Sequence, residues 1–142
     1  MNDYIVHKTI AINAAPVTVW DALTNPEKTK EYFFNCNVFS AWKAGSAIKF
    51  KGKLLFIKNI EMSGKILQIV PEKLLQYTLG NNSDEKSWIS VVTDELSYGN
   101  GITTLSITDN VGSGEGAAER YKKSLKGWDK ILSGLKKMIE EK

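Results

Sequence analysis

The chain has 142 residues, 42% of them hydrophobic and 25% charged, with a net charge of +3. That is enough to bury one full core, so a single domain spanning residues 1–142 is expected. A lone cysteine excludes an internal disulfide or a cysteine metal cluster. A mild positive charge carried almost wholly by lysine argues against a sequence-specific reader of nucleic acid, which leans on arginine forks.

No apolar run approaches the roughly 20 residues needed to span a bilayer, so no membrane role is expected. The opening MNDYIVHKTIAI alternates apolar and polar residues and has no signal-peptide layout, which points to a cytoplasmic protein. The alternation from Val6 to Ile12 predicts a strand. Pro16 suits the first position of a helix, and Val17, Trp20 and Leu23 then share a face, giving a short helix to about Thr24. Asn25-Pro26-Glu27 repeats the start signal, a capping side chain followed by proline and a carboxylate, and predicts a second short helix to about Phe33.

From Asn37 the pattern becomes β. Val38 to Trp42 reads as a strand and Lys43 to Ser46 as a turn. Ile48, Phe50, Gly52 and Leu54 then alternate with Lys49, Lys51 and Lys53, the signature of a sheet with one wet and one buried face. Ile60 to Val70 is a longer strand in which Gly64 suggests a bulge or bend. Pro71-Glu72-Lys73 turns the chain into Leu74 to Leu79, and Gly80 to Lys86 is a polar loop. Trp88 to Leu96 and Ile102 to Thr108 follow as strands, joined through Asn100-Gly101, a strong hairpin signal.

The glycine-rich stretch Gly112 to Gly116 leads into one long helix, Gly116 to Glu141. There Ala118, Tyr121, Leu125, Trp128, Leu132, Leu135 and Ile139 recur at steps of three and four. Gly127 and Gly134, beside that stripe, are expected to allow close packing against the sheet or to leave room for a ligand. Strands joined by short turns pair antiparallel. The fold class expected is therefore α+β: an antiparallel sheet of about six strands, with two short helices and a long C-terminal helix on one face.

The stretch AAPVTVWDALTNPEKTKEYF resembles the opening helices of the START-like (helix-grip, SRPBCC) superfamily. Within it, SAWKAGSAIKFKGK, SGKILQIVPEKLLQYTL, TTLSITDN and the final helix around Lys126-Gly127-Trp128 are similar, in order, to homologues of the activator of the 90-kDa heat-shock-protein ATPase. The resemblance implies the helix-grip fold: a curved antiparallel sheet gripping the C-terminal helix, with a cavity between them. The eukaryotic activator carries a separate chaperone-stimulating domain ahead of this one. Ile5 already begins the first strand here, so that domain is expected to be absent.

Trp20, Trp42, Phe50, Tyr77, Trp88, Tyr121 and Trp128 are the rings expected to wall such a cavity, with Arg120 near its mouth to hold a carboxylate. The plainer role for Arg120 is a surface ion pair with Asp94 or Glu119. Glu61 is expected to face outward. His7 is the only histidine and has no evident nucleophile beside it, Cys36 reads as a structural thiol, and the Gly112 to Gly116 loop lacks the Gly-Lys-Ser/Thr ending of a phosphate loop. No catalytic residue, metal or cofactor is therefore assigned. The leading expectation is a non-enzymatic binder of a small hydrophobic or aromatic ligand. An interaction protein with a chaperone contact and a polyketide cyclase-like enzyme are the alternatives.

Overall fold

A computed structural model describes residues 3–54, 58–81 and 89–141. β1 (Tyr4–Ile12) is followed by α1 (Pro16–Thr24) and α2 (Pro26–Tyr32), then by β2 (Cys36–Ser40), β3 (Ala47–Leu54), β4 (Lys58–Val70), β5 (Leu74–Asn81), β6 (Ile89–Gly99) and β7 (Ile102–Gly112). α3 (Ala117–Glu140) closes the chain. The sheet has seven strands, one more than the six expected, in the order β1-β7-β6-β5-β4-β3-β2, and every pair is antiparallel. Consecutive hairpins carry the chain from β2 to β7, and β1 returns to pair with β7. The sheet curves, and its helices lie on one side.

Local chemistry explains the turns. Asn100 and Gly101 both take positive φ, 53° and 81°, the geometry that lets a two-residue turn follow the twist of the strands it joins. Asn25 caps α2 by accepting the Glu27 amide at 3.0 Å, and Pro26 sits at the first turn. The strand expected to reach Trp42 ends at Ser40, because Trp42 turns out of it at a φ of 57°.

Gly64 is not the bulge. The register between β4 and β5 shifts between Ile66 and Gln68. Gly64 instead permits a close approach: a Cβ there would lie 1.8 Å from the Thr78 carbonyl oxygen. Gly80 and Asn81, expected in a loop, extend β5, and the remainder of that loop lies outside the described residues.

The two faces sort by period two, as the sequence suggests. Ile48 and Phe50 are buried while Lys49, Lys51 and Lys53 are exposed. On the convex face Gln68 Nε2 donates to Gln76 Oε1 (3.3 Å), Gln76 Nε2 donates to Thr93 Oγ1 (3.0 Å), and His7 Nδ1 lies 3.3 Å from Thr108 Oγ1. The concave face carries the core, including Val6, Ile12, Val38, Ile66, Leu75, Val92, Leu105 and Ile107.

α3 buries Ala117, Trp128, Ile131, Leu132 and Leu135 on that core. Ala118, expected in the stripe, is exposed, and Ala117 takes its place. Ile131 joins the buried face, and Tyr121, Leu125 and Ile139 are half-buried at its margin. The glycines of α3 serve the α2 end rather than the sheet. A Cβ on Gly134 would meet Tyr32 Cβ at 3.1 Å, and one on Gly127 would meet Phe34 Cζ at 3.6 Å. Tyr32 is locked from the other side, its hydroxyl donating to the Ala22 carbonyl at 2.6 Å.

Candidate functional site

α3 packs most closely on β1, β7 and α2. Where the sheet curves away toward β4 and β5, a gap of about 980 Å³ opens between strand and helix. Its sheet wall is built by Ile60 and Met62 of β4, Leu79 of β5, Ser90 of β6, and Asp109 and Val111 of β7. Its helix wall is Gly116, just ahead of α3, and one face of α3: Glu119, Arg120, Lys123, Ser124, Gly127, Trp128 and Ile131. Phe33 and Phe34, in the turn after α2, close one end. The volume lies at the upper end of the range of small-molecule pockets, roughly 300–1,000 Å³, and the lining is mostly apolar with a few polar groups, as such pockets have.

The aromatic end of this cavity is rigid. Phe33 stacks on Phe50 (centroids 4.5 Å apart, planes 19°) and meets the edge of Trp128 (6.0 Å, 85°). Phe50 in turn packs on Tyr77 at 6.0 Å. Trp128 is further held through its polar tip: Nε1 donates to Asp109 Oδ2 at 2.9 Å. Ser124, one helical turn earlier, donates Oγ to the same oxygen at 2.6 Å. Asp109 Oδ1 has no hydrogen-bond partner among the described residues.

A second acid lies deeper. Asp94 is 3% exposed, and its Oδ1 is likewise unpartnered. Burial, reinforced by the charge of Asp109, pushes its carboxyl up to about 8. Asp94 borders a void of about 20 Å³ shared with Thr29, Tyr32 and Tyr77, room for one water molecule. Burial also holds the Tyr32 and Tyr77 hydroxyls well above the ordinary phenol range. Phe33, Trp128 and Ile131 line both spaces and so form the partition between them.

The expected site residues divide. Trp128 and Arg120 line the large cavity. Phe50 and Tyr77 stand behind the Phe33–Trp128 partition and border the small void. Tyr121 packs on Tyr4 at 5.7 Å, toward the β1 side of α3. Trp20 and Trp42 are half-buried against the core and are not among the cavity walls. Trp88 lies outside the described residues.

Arg120 is tied to main-chain oxygens: Nε and Nη2 donate to the Val111 carbonyl (3.2 and 3.0 Å), and Nη1 donates to that of Glu115 (3.2 Å). It thus pins the glycine-rich loop against the start of α3. Glu61 points outward, 3.6 Å from Lys51, with only its strand position on the cavity rim. Cys36 is buried, and burial pushes its thiol up. Among the described residues no three His, Cys, Asp or Glu side chains are grouped to hold a metal, and no helix is long and apolar enough to cross a membrane.

Asp94, Asp109 and Ser124 escaped the sequence reading as site residues, although a signal was present. Ser90, Val92, Asp94 and Leu96 alternate, as do Thr103, Leu105, Ile107, Asp109 and Val111. The period places both acids on the buried face with their apolar neighbours.

The family described as Activator of Hsp90 ATPase homolog 1-like protein matches residues 13–140. The chain belongs to this family. Solved structures agree over nearly the full length. Protein ChR145 from Cytophaga hutchinsonii is 33% identical, with a TM-score of 0.77, covering 99% of this chain and 97% of its own. Protein CV1439 from Chromobacterium violaceum is 22% identical with a TM-score of 0.82, covering 96% and 97%. The Aha1 dimer from Colwellia psychrerythraea is 20% identical with a TM-score of 0.75, covering 96% of both chains. No curated protein is similar enough in sequence to match this chain. Likeness at the lower identities establishes the shared helix-grip architecture alone.

Proposed function

We propose that the protein binds a small hydrophobic or aromatic molecule in the gap between β4–β7 and α3, without catalysing its conversion. The observation that carries this reading is the cavity itself: about 980 Å³, with the rings of Phe33, Phe34 and Trp128 at one end and both apolar and polar residues along its walls. The ring cluster of Phe33, Phe50 and Trp128 is packed and cross-braced, so an entering ligand would meet a preformed wall. Of the residues expected from the sequence, Trp128 and Arg120 belong to this site directly. Phe50 and Tyr77 support it from behind.

The test is titration of isotope-labelled protein with a panel of apolar aromatic, sterol-like and fatty-acid-like compounds, followed by amide shifts. Shifts are expected at Phe33, Met62, Leu79, Val111, Ser124, Gly127 and Trp128. Shifts confined to Lys49, Lys51 and Lys53 would move the function to the outer face and favour the chaperone-contact alternative that the family membership raises. Silence across the panel would refute the binding reading.

A further inference from the structure

We infer that Asp94 and Asp109 form a buried acid–carboxylate pair that holds one proton between them, and that this proton keeps the middle of α3 seated on the sheet. Strand register brings the two acids together. Asp94 of β6 is paired with Leu75 of β5 and Ile107 of β7, and Asp109 is paired with Val92. The two are therefore diagonal neighbours on one face of adjacent strands. Tyr77, the partner of Val92 on β5, is the diagonal neighbour of Asp94 on the other side. Both acids are buried, and each has one oxygen, Oδ1, without a hydrogen-bond partner among the described residues.

Two carboxylates cannot satisfy each other, since an ionised carboxylate only accepts. One proton changes that, because a protonated carboxyl donates and its ionised neighbour accepts in a charge-assisted bond. The proton belongs on Asp94. Asp109 Oδ2 already accepts from Ser124 Oγ and Trp128 Nε1, bonds that favour its ionised form. Asp94 has no such support. Around the void it borders, β5 presents Tyr77 and α2 presents Thr29 and Tyr32, while α1, β3 and α3 present only uncharged side chains. Among the described residues no Lys, Arg or His lines that void. Burial and the charge of Asp109 accordingly push the Asp94 carboxyl up to about 8.

Asp94 borders the small void, and Asp109 belongs to the wall of the large cavity, so the pair straddles the partition. Loss of the proton leaves two like charges side by side with no cation to offset them. Asp109 cannot swing away without giving up Ser124 or Trp128, so the repulsion is passed to that stretch of α3, which is the helix wall of the cavity. The grip is thus firm below about pH 8 and slackens as pH rises through it. This device is independent of what fills the large cavity.

The test is a carbon-detected titration of the full chain, labelled at its aspartate carboxyls, from about pH 6 to about pH 9.5. The Trp128 indole N–H is followed in parallel, its resonance assigned by its loss in Trp128→Phe. Both carboxyl resonances and the indole N–H are expected to move together, with one midpoint near 8. In Asp94→Asn the amide can still donate to Asp109 but carries no titrating proton, so the indole should keep its low-pH position throughout. In Asp109→Asn the like charge is gone, and the Asp94 midpoint should fall by about one unit or more. An indole that holds still while Asp94 titrates would overturn the coupling to α3. An Asp94 midpoint left unmoved by Asp109→Asn, or one below about 5 in the parent chain, would overturn the pair itself.

Discussion

Asp94 is the residue whose chemistry departs furthest from its ordinary state. With its carboxyl pushed up to about 8, it is protonated at neutral pH and buried as a neutral group. The consequence for stability has a definite sign. Between the unfolded carboxyl value near 4 and about 8, the folded chain holds a proton that the unfolded chain has released. Stability is therefore fully present below about 4, falls as pH rises through that window, and levels off above it. The slope has an upper bound of about 1.4 kcal/mol per pH unit. Asp94→Asn, neutral at every pH, should remove this component. Urea midpoints at pH 5 and pH 8 are expected to differ less in the variant than in the parent chain. Parallel pH profiles would show that Asp94 ionises as freely in the fold as out of it. The sequence could have announced this site, because the inward register of β6 and β7 is readable from their alternation. It did not announce which inward acid would be tied to Ser124 and Trp128, since that depends on where α3 crosses, and no local pattern encodes a crossing point.

At the scale of elements, most of the fold was legible because each element carries its own period and its own stop signal. The lysine alternation of β3, the capped start of α2 and the Asn100-Gly101 turn all appear where local chemistry demands them. Boundaries failed where tertiary contacts decide. β7 runs on to Gly112 because β1 pairs along its length from Ile12 back to Tyr4, and β2, expected from Val38 to Trp42, runs instead from Cys36 to Ser40.

The glycines of α3 make a sharper case, since their spacing was plain and their partner was not. Gly127 has an ordinary 3.6 Å neighbour at the tip of Phe34, whereas Gly134 abuts the Cβ and Cα of the locked Tyr32. Gly127→Ala should be neutral or stabilising by up to about 1 kcal/mol through helix propensity. Gly134→Ala should be net destabilising, because Tyr32 cannot withdraw. Chemical denaturation of the two variants side by side decides the matter, and a Gly134→Ala chain more stable than Gly127→Ala would contradict the packing. Trp128→Ala should lose about 3–5 kcal/mol, the usual range for a buried aromatic, since it also strips Asp109 of one donor. A near-normal melting temperature would show that the ring is not part of the core.

For the whole molecule, the cavity is a consequence of curvature. A helix lies against β1 and β7 and cannot follow the sheet as it bends away toward β4 and β5, so closing one side of the grip opens the other. The partition of Phe33, Trp128 and Ile131 then belongs at once to the core and to the cavity wall. Anything that packs on that partition is coupled to folding. A ligand that binds only the folded chain should raise its stability by about 2.7 kcal/mol when present at a hundred times its dissociation constant. The gain should be distributed unevenly. Amide hydrogen exchange is expected to slow most along β4, β5 and the Gly116–Ile131 part of α3, which face each other across the gap. β1, clamped by the helix and with no residue in the cavity wall, should change little. Uniform protection of all seven strands would mean that the ligand acts through global unfolding alone. Protection confined to the convex face would place the binding surface opposite the grip, and the curvature would then have no part in function.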